Sequence, residues 1–181
     1  RLQHAKQFVR QLAAGTVGSR YGLIAFAGSA FLECPLTQNI GGFLSFLDDV
    51  GTDSIPVGGT NIELALSEAL DAFEAAEGDH RAIIMITDGK PSAMTLPDRR
   101  VYTNSGALDP RILKKTFQEV SACRKSGILI NTFMLASDAY LVQFVQKVSE
   151  IARGKAYFTN SLTLGQYIMM DFMRNKRRRA G

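Results

Sequence analysis

The chain has 181 residues, of which 46% are hydrophobic and 21% charged, so its length and composition fit a single globular domain. No apolar run approaches the roughly 20 residues that cross a bilayer, and we predict no membrane-spanning helix. The formal net charge of +4 comes from the last eight residues, which hold five positive charges. Since no basic patch extends into the rest of the chain, we expect no specific nucleic-acid binding.

The spacing of apolar residues predicts helices and strands that alternate along most of the chain. Helices are predicted over 1–14, 39–50, 60–76, 110–126, 138–153 and 162–179, and strands over 21–27, 30–36, 81–87, 128–135 and 156–158. The first two strands are expected to form a hairpin at the rim of the sheet. The alternation that follows indicates a doubly wound α/β fold, with a mostly parallel sheet and helices on both faces.

The predicted domain covers residues 1–173, and residues 174–181 form a basic tail. Gly127 and Gly154 are placed to end the helices that precede them, because glycine is the residue that most often follows a helix.

Residues 81–87 are predicted to form a buried central strand, apolar on both faces, which Asp88 and Gly89 follow. Ligands bind at the carboxyl ends of strands in open α/β sheets, so Asp88 is a candidate site residue. An Asp-Gly pair also starts turns very often, and the sequence alone leaves both roles open.

Thr60 follows two glycines and stands at a predicted helix start. Its hydroxyl and the Asp88 carboxylate are hard oxygen donors at two loop tips, and such donors suit Mg²⁺ or Ca²⁺ rather than zinc. The alternative is that Thr60 only caps the helix, since Thr60 and Glu63 have the spacing of a capping box.

The polar stretch 90–109 is longer than most connections in compact domains. We expect it to be an ordered or mobile loop on the same edge as Asp88, where it can shape the choice of partner.

Several classes of enzyme lack their motifs in this sequence. It contains no phosphate-binding loop, no GxGxxG and no GxSxG, and its only histidines are His4 and His80. We therefore expect no enzymatic activity. Cys34 and Cys123 are far apart in the sequence and are expected to be free, buried thiols.

Two motifs together resemble those of the von Willebrand factor type A (VWA) domain family. Gly58-Gly59-Thr60-Asn61 is similar to its threonine motif, and residues 83–89 are similar to its characteristic strand. The resemblance implies a Rossmann-like fold and a metal-ion-dependent adhesion site, in which an acidic residue of the partner completes the shell of a Mg²⁺ ion. It implies that Thr60 and Asp88 are metal ligands and that the partner contacts Gly59, Asn61, Gly89 and Lys90.

The sequence also departs from the family pattern. The Asp-x-Ser-x-Ser loop of the family follows its first, central strand, and both would lie before Arg1. We therefore expect residues upstream of this chain, an incomplete metal site in this piece, and a groove between the strands at 21–27 and 81–87. A targeting signal or membrane anchor could lie upstream, so localisation stays open, with the cytoplasm favoured.

Two groups within the family share further features with this chain. The segments at 25–28 and 35–37 are similar to bacterial membrane-anchored relatives linked to aerotolerance, whereas 154–158 and 164–167 with the basic end are more similar to the D-subunit of magnesium chelatase. We favour the second group. The expected function is Mg²⁺-dependent binding of a protein that offers Asp or Glu; the alternative is a docking subunit in a chelatase-like complex with an AAA+ ATPase.

Overall fold

The computed structural model describes residues 1–16, 18–76, 78, 80–135 and 138–158. In this part of the chain the helices and strands follow the predicted order, with two additional short strands. The elements are α1 (Leu2–Ala14), β1 (Tyr21–Phe26), β2 (Ala30–Thr37), α2 (Ile40–Asp49), α3 (Ile62–Glu74), β3 (Arg81–Thr87), β4 (Ala93–Thr95), β5 (Val101–Thr103), α4 (Pro110–Lys125), β6 (Ile128–Met134), α5 (Ala139–Ala152) and β7 (Ala156–Phe158). The predicted helix at 162–179, the domain boundary at 173 and the basic tail lie outside the described residues.

Three parallel strands form the main sheet, in the order β3-β6-β7. Their register aligns Thr87 with Met134 and Met134 with Phe158, so the three strands end level at one carboxyl edge. The strands β1 and β2 form an antiparallel hairpin, as predicted, but within the described residues this hairpin is a separate sheet and not the rim of the main one. The predicted α/β class is confirmed.

Helices cover both faces of this sheet because side chains alternate along its strands. On β6, Ile130 and Met134 pack into the core that α3, α4 and α5 share. On the other face, Phe133 packs against Phe8 of α1, with ring centroids 4.9 Å apart. None of the helices in the described ranges is long and apolar enough to cross a membrane.

The strand β3 lies at the end of its sheet rather than at the centre, in contrast to the prediction. Among the described strands, β3 pairs only with β6, and β1 belongs to another sheet. Ala82 is exposed, and Ile84 and Ile86 are only partly buried, so β3 is not apolar and buried on both faces. This open edge agrees with the expected interruption of the sheet between β1 and β3.

The stretch 90–109 contains a small antiparallel hairpin, β4–β5. The backbone N–H of Ser92 donates to the carbonyl of Thr60 over 3.0 Å, which places the start of the stretch at the same edge as Thr60, as expected. At its other end, Asp109 caps α4 and accepts hydrogen bonds from Tyr102 and Arg111. The Arg111 side chain holds the pKa of the Asp109 carboxyl well below its usual range. The stretch is therefore fixed at both ends.

Gly127 and Gly154 are both predicted to end helices, and only Gly127 does so. Gly127 follows α4 with φ +75°, a left-handed conformation that favours glycine, as predicted. The left-handed residue after α5 is Arg153, with φ +54°, so the prediction that Gly154 ends this helix is wrong. Gly154 has another role: a Cβ atom at this position would lie 1.7 Å from the carbonyl oxygen of Ile130. The close approach of the chain to β6 requires a residue without a side chain.

We expect Gly154→Ala to lower the free energy of unfolding by about 3 kcal/mol, the upper range for an overpacked site, because the Ile130 carbonyl cannot move without disturbing β6. In thermal melting, the midpoint should fall by roughly 6–12 °C. Gly51→Ala is the matched control, since its added Cβ would have no neighbour closer than 3.9 Å. Equal midpoints for the two variants would contradict the steric argument.

Cys34 and Cys123 are both free and buried, as predicted. Burial, and secondarily the nearby Glu119 carboxylate, raises the pKa of Cys123 from 9.0 to about 11. As pH rises through this interval, the unfolded chain loses a thiol proton that the folded protein keeps, so the stability that Cys123 contributes falls.

The pH dependence of stability should therefore change in Cys123→Ala. Urea unfolding at about pH 8 and about pH 10 should show a larger loss of stability in the wild type than in the variant, because only the wild type carries this thiol. Comparing the two proteins cancels the contributions that other groups titrating in the same pH range make to stability. An identical loss in both would contradict the raised pKa.

Candidate functional site

Thr60 and Asp88 lie at the carboxyl edge of the main sheet. Asp88 is the first residue after β3, and Thr60 lies just before α3. The Thr60 hydroxyl oxygen is 3.0 Å from the position that a Cβ atom would take on Gly89, the residue that follows Asp88. The structure thus brings together the two loop tips that the sequence analysis paired.

The backbone of Thr60 is held on both sides by the 90–95 segment. Its N–H donates to the Ser92 hydroxyl over 3.0 Å, and its carbonyl accepts from the N–H groups of Ser92 and Ala93. Within the described residues, the Thr60 hydroxyl makes no hydrogen bond of its own. The backbone that carries the hydroxyl is therefore held, while the hydroxyl itself is available to another group.

Thr60 is not the cap of α3. The N-cap is Asn61, whose side-chain oxygen accepts from the backbone N–H of Leu64 over 3.1 Å. Asn61 supplies the capping oxygen that Thr60 would supply under the alternative role. The capping alternative for Thr60 is therefore wrong.

Glu63, the other half of the predicted capping box, also bonds elsewhere. Its carboxylate accepts from the backbone N–H of Thr95 over 3.1 Å and lies 3.6 Å from the Lys115 ammonium. These contacts attach α3 to the β4–β5 hairpin and to α4. Tertiary partners have replaced the local contact that the sequence pattern predicted.

Asn61 also connects three segments behind the site. Its side-chain NH₂ donates to the carbonyl of Gly28 and to the hydroxyl of Thr95, both over 3.1 Å. Its backbone N–H donates to the carbonyl of Ala27, at the end of β1, over 2.6 Å. The residue is completely buried, which places it as a support of Thr60 and not on the surface that a partner would meet.

The three other residues expected at the partner surface are more accessible. Gly59 is exposed and has φ +108°, and a Cβ atom there would lie 3.1 Å from that of Ala93. Gly89 and Lys90 are half-buried, and the Lys90 ammonium donates to the carbonyl of Gly106. Contact of these three residues with a partner stays a prediction.

The Asp88 carboxylate is held by a residue that the sequence analysis did not single out. The side chain is 49% exposed, and one of its oxygens accepts a hydrogen bond from the Arg1 guanidinium over 3.0 Å. The positively charged guanidinium of Arg1 therefore contacts Asp88 at the edge where the sequence predicts a metal ion.

The donor set fits a hard cation with few protein ligands. Thr60 supplies a hydroxyl and Asp88 a carboxylate. Because Gly89 has no Cβ atom, the Thr60 hydroxyl has room beside the backbone of Gly89. Mg²⁺ commonly keeps several waters and binds through one or two carboxylates. In the described parts of the chain, no three His, Cys, Asp or Glu residues form a metal-binding group. Water, a partner or residues upstream of Arg1 would have to supply the rest of the shell.

An open groove of about 470 Å³ lies between the 57–59 loop and the β4–β5 hairpin. Its lining includes Gly59, the residue before Thr60. Serine and threonine hydroxyls line it together with valine side chains; the lining residues are Val57, Gly58, Gly59, Ser92, Val101, Thr103 and Ser105. The groove offers both polar and apolar contacts beside the paired oxygen donors.

The chain is similar to uncharacterized bacterial proteins and to solved structures of the same fold. It is 27% identical over 124 residues to the uncharacterized protein Rv0959 of Mycobacterium tuberculosis (strain ATCC 25618 / H37Rv), a match that covers 66% of this chain and 18% of that protein. The chain thus spans about a fifth of the length of this relative.

Solved structures with the same fold include two bacterial proteins. BatB, a conserved hypothetical protein from Bacteroides thetaiotaomicron, superposes with a TM-score of 0.76 at 20% identity, covering 99% of this chain and 88% of that one. The vWF domain of the type V pili tip protein Mfa5 from Porphyromonas gingivalis superposes with a TM-score of 0.73 at 11% identity, covering 97% and 86%.

The model of the family described as "Rv0959-like protein, vWA domain" matches residues 45–173, which is more than half of the chain and includes both Thr60 and Asp88. The VWA resemblance is confirmed at this level, whereas the closer likeness to the D-subunit of magnesium chelatase stays a prediction. This chain belongs to the Rv0959-like vWA domain family.

Proposed function

We propose that this chain is a protein-binding module that recruits an acidic side chain of its partner through Mg²⁺, with Thr60 and Asp88 as ligands of the metal. The observation that carries the proposal is the Thr60 hydroxyl, which makes no hydrogen bond within the described residues and lies at Gly89, the residue that follows the half-exposed Asp88. A bound Mg²⁺ would supply the positive charge that attracts the carboxylate of the partner.

The residues of the chain supply position and access. Asn61 and Ser92 hold the backbone at Thr60, so this backbone loses little further freedom when the hydroxyl binds a ligand. Asp88 is open to solvent, which allows a partner to approach it. Residues flanking the acidic group of the partner would lie in the groove beside Gly59, where hydroxyl groups and valine side chains offer contacts.

The proposal assigns no catalytic step to this chain. Docking to an AAA+ ATPase in a chelatase-like complex is the alternative, and it uses the same metal-bridged contact with a different partner. No contact in the described residues favours that partner over another acidic protein.

We expect Asp88→Asn to lower the Mg²⁺ affinity of the full-length protein by at least about tenfold, since even outer partners of metal ligands contribute that much. The change removes the charge but keeps the shape of an exposed side chain, so thermal melting should be unaffected. Asp98→Asn is the matched control: this side chain is 50% exposed and also pairs with an arginine, Arg100. Calorimetric titration with Mg²⁺ measures the affinities, and equal binding by Asp88→Asn and Asp98→Asn would contradict the proposal.

Thr60→Val should also weaken Mg²⁺ binding, because it replaces the hydroxyl with a methyl group of similar size. Thr60→Ser keeps the hydroxyl and should retain the affinity. Both variants should keep α3 intact, because Asn61 caps the helix and the Thr60 contacts to Ser92 use its backbone. Circular dichroism checks the helix content. Weak binding by the serine variant and the valine variant alike would count against a ligand role for this hydroxyl.

A further inference from the structure

The hydrogen-bonded ion pair between Arg1 and Asp88 joins residues 87 positions apart in the sequence. Arg1 precedes α1, and its guanidinium reaches across the carboxyl edge to an oxygen of the Asp88 carboxylate at 3.0 Å. The two side chains are 63% and 49% exposed. An ion pair as exposed as this contributes only about 0–1 kcal/mol to stability, so the fold does not depend on it.

The same carboxylate is the proposed charged ligand of the metal. A carboxylate oxygen that accepts from a guanidinium has less electron density to offer a cation, and the positive charges of Arg1 and Mg²⁺ repel each other at such short range. Arginine keeps its charge throughout the physiological pH range, so a change of pH does not remove this competitor.

We propose that Arg1 is an internal cation that competes with Mg²⁺ for Asp88 and must leave the carboxylate before the metal binds. This inference rests on the proposed function, because it assigns Arg1 a role at the same site. Arg1 thereby raises the Mg²⁺ concentration at which the site fills. A guanidinium that instead held Asp88 in the orientation of a ligand would strengthen metal binding, which is the opposite effect.

The test is calorimetric titration of the full-length protein with Mg²⁺ in the wild type and in Arg1→Gln. Removing the competing charge should raise the Mg²⁺ affinity about three- to tenfold, the range expected for loss of an exposed ion pair and of a nearby repulsive charge. Arg1→Lys keeps the positive charge but loses the planar guanidinium group. Its Mg²⁺ affinity should lie between those of the wild type and Arg1→Gln.

Arg10→Gln is the matched control. Arg10 lies on α1, the helix that Arg1 precedes, and pairs with Asp48 of α2, so this variant loses the same charge without touching the Asp88 ion pair. Its Mg²⁺ affinity should equal that of the wild type. A comparable increase in both glutamine variants would reduce the effect to net charge and overturn the inference.

The outcomes also separate this inference from the proposed function. Measurable Mg²⁺ binding by the wild type that Arg1→Gln leaves unchanged or weakens overturns the role of Arg1 alone. Binding that rises only in Arg1→Gln supports it. A lack of Mg²⁺ binding in the wild type and in Arg1→Gln alike overturns both proposals.

Discussion

The buried amide of Asn61 is the contact on which the geometry of the carboxyl edge depends. Both of its N–H groups donate and its oxygen accepts, so a polar group that would be costly to bury is fully satisfied. Each of these bonds ends on a different segment: the loop after β1, the β4–β5 hairpin and the first turn of α3. Thr60 precedes Asn61 directly, and its position follows from this network.

A second, smaller arrangement presents Asp88. The buried hydroxyl of Thr87 accepts from the backbone N–H of Gly89 over 3.3 Å and donates to the carbonyl of the same residue over 3.1 Å, which fixes the turn on both sides of Asp88. The carboxylate itself stays half-exposed. Hydrogen bonds thus hold the backbone of both loop tips, whereas the Asp88 carboxylate is open to solvent. Under the proposed function, this division lets the site bind and release a ligand without repacking the core.

The alternation of strands and helices was predictable because burial imposes a period of two or 3.6 residues on each element, and the pairing of Thr60 with Asp88 followed from where two elements begin and end. The local patterns were less informative where distant contacts decide the outcome. The Thr60–Glu63 spacing predicts a capping box, but Glu63 is bound to Thr95 and Lys115. The strands β4 and β5 have three residues each, too few to display a period. Arg1 gave no local signal, since its partner lies 87 positions away.

The Thr60–Asn61 pair has a consequence for the relation between the two larger sheets. In the described part of the chain, the β1–β2 hairpin and the β3-β6-β7 sheet share no ladder of backbone hydrogen bonds. Asn61 is bonded to Ala27 at the end of β1, while the Thr60 hydroxyl lies against Gly89 at the end of β3. Thr60 is thus attached to the end of β1 through Asn61, whereas Asp88 directly follows β3, so the distance between the two oxygen donors depends on the angle at which the two sheets are set.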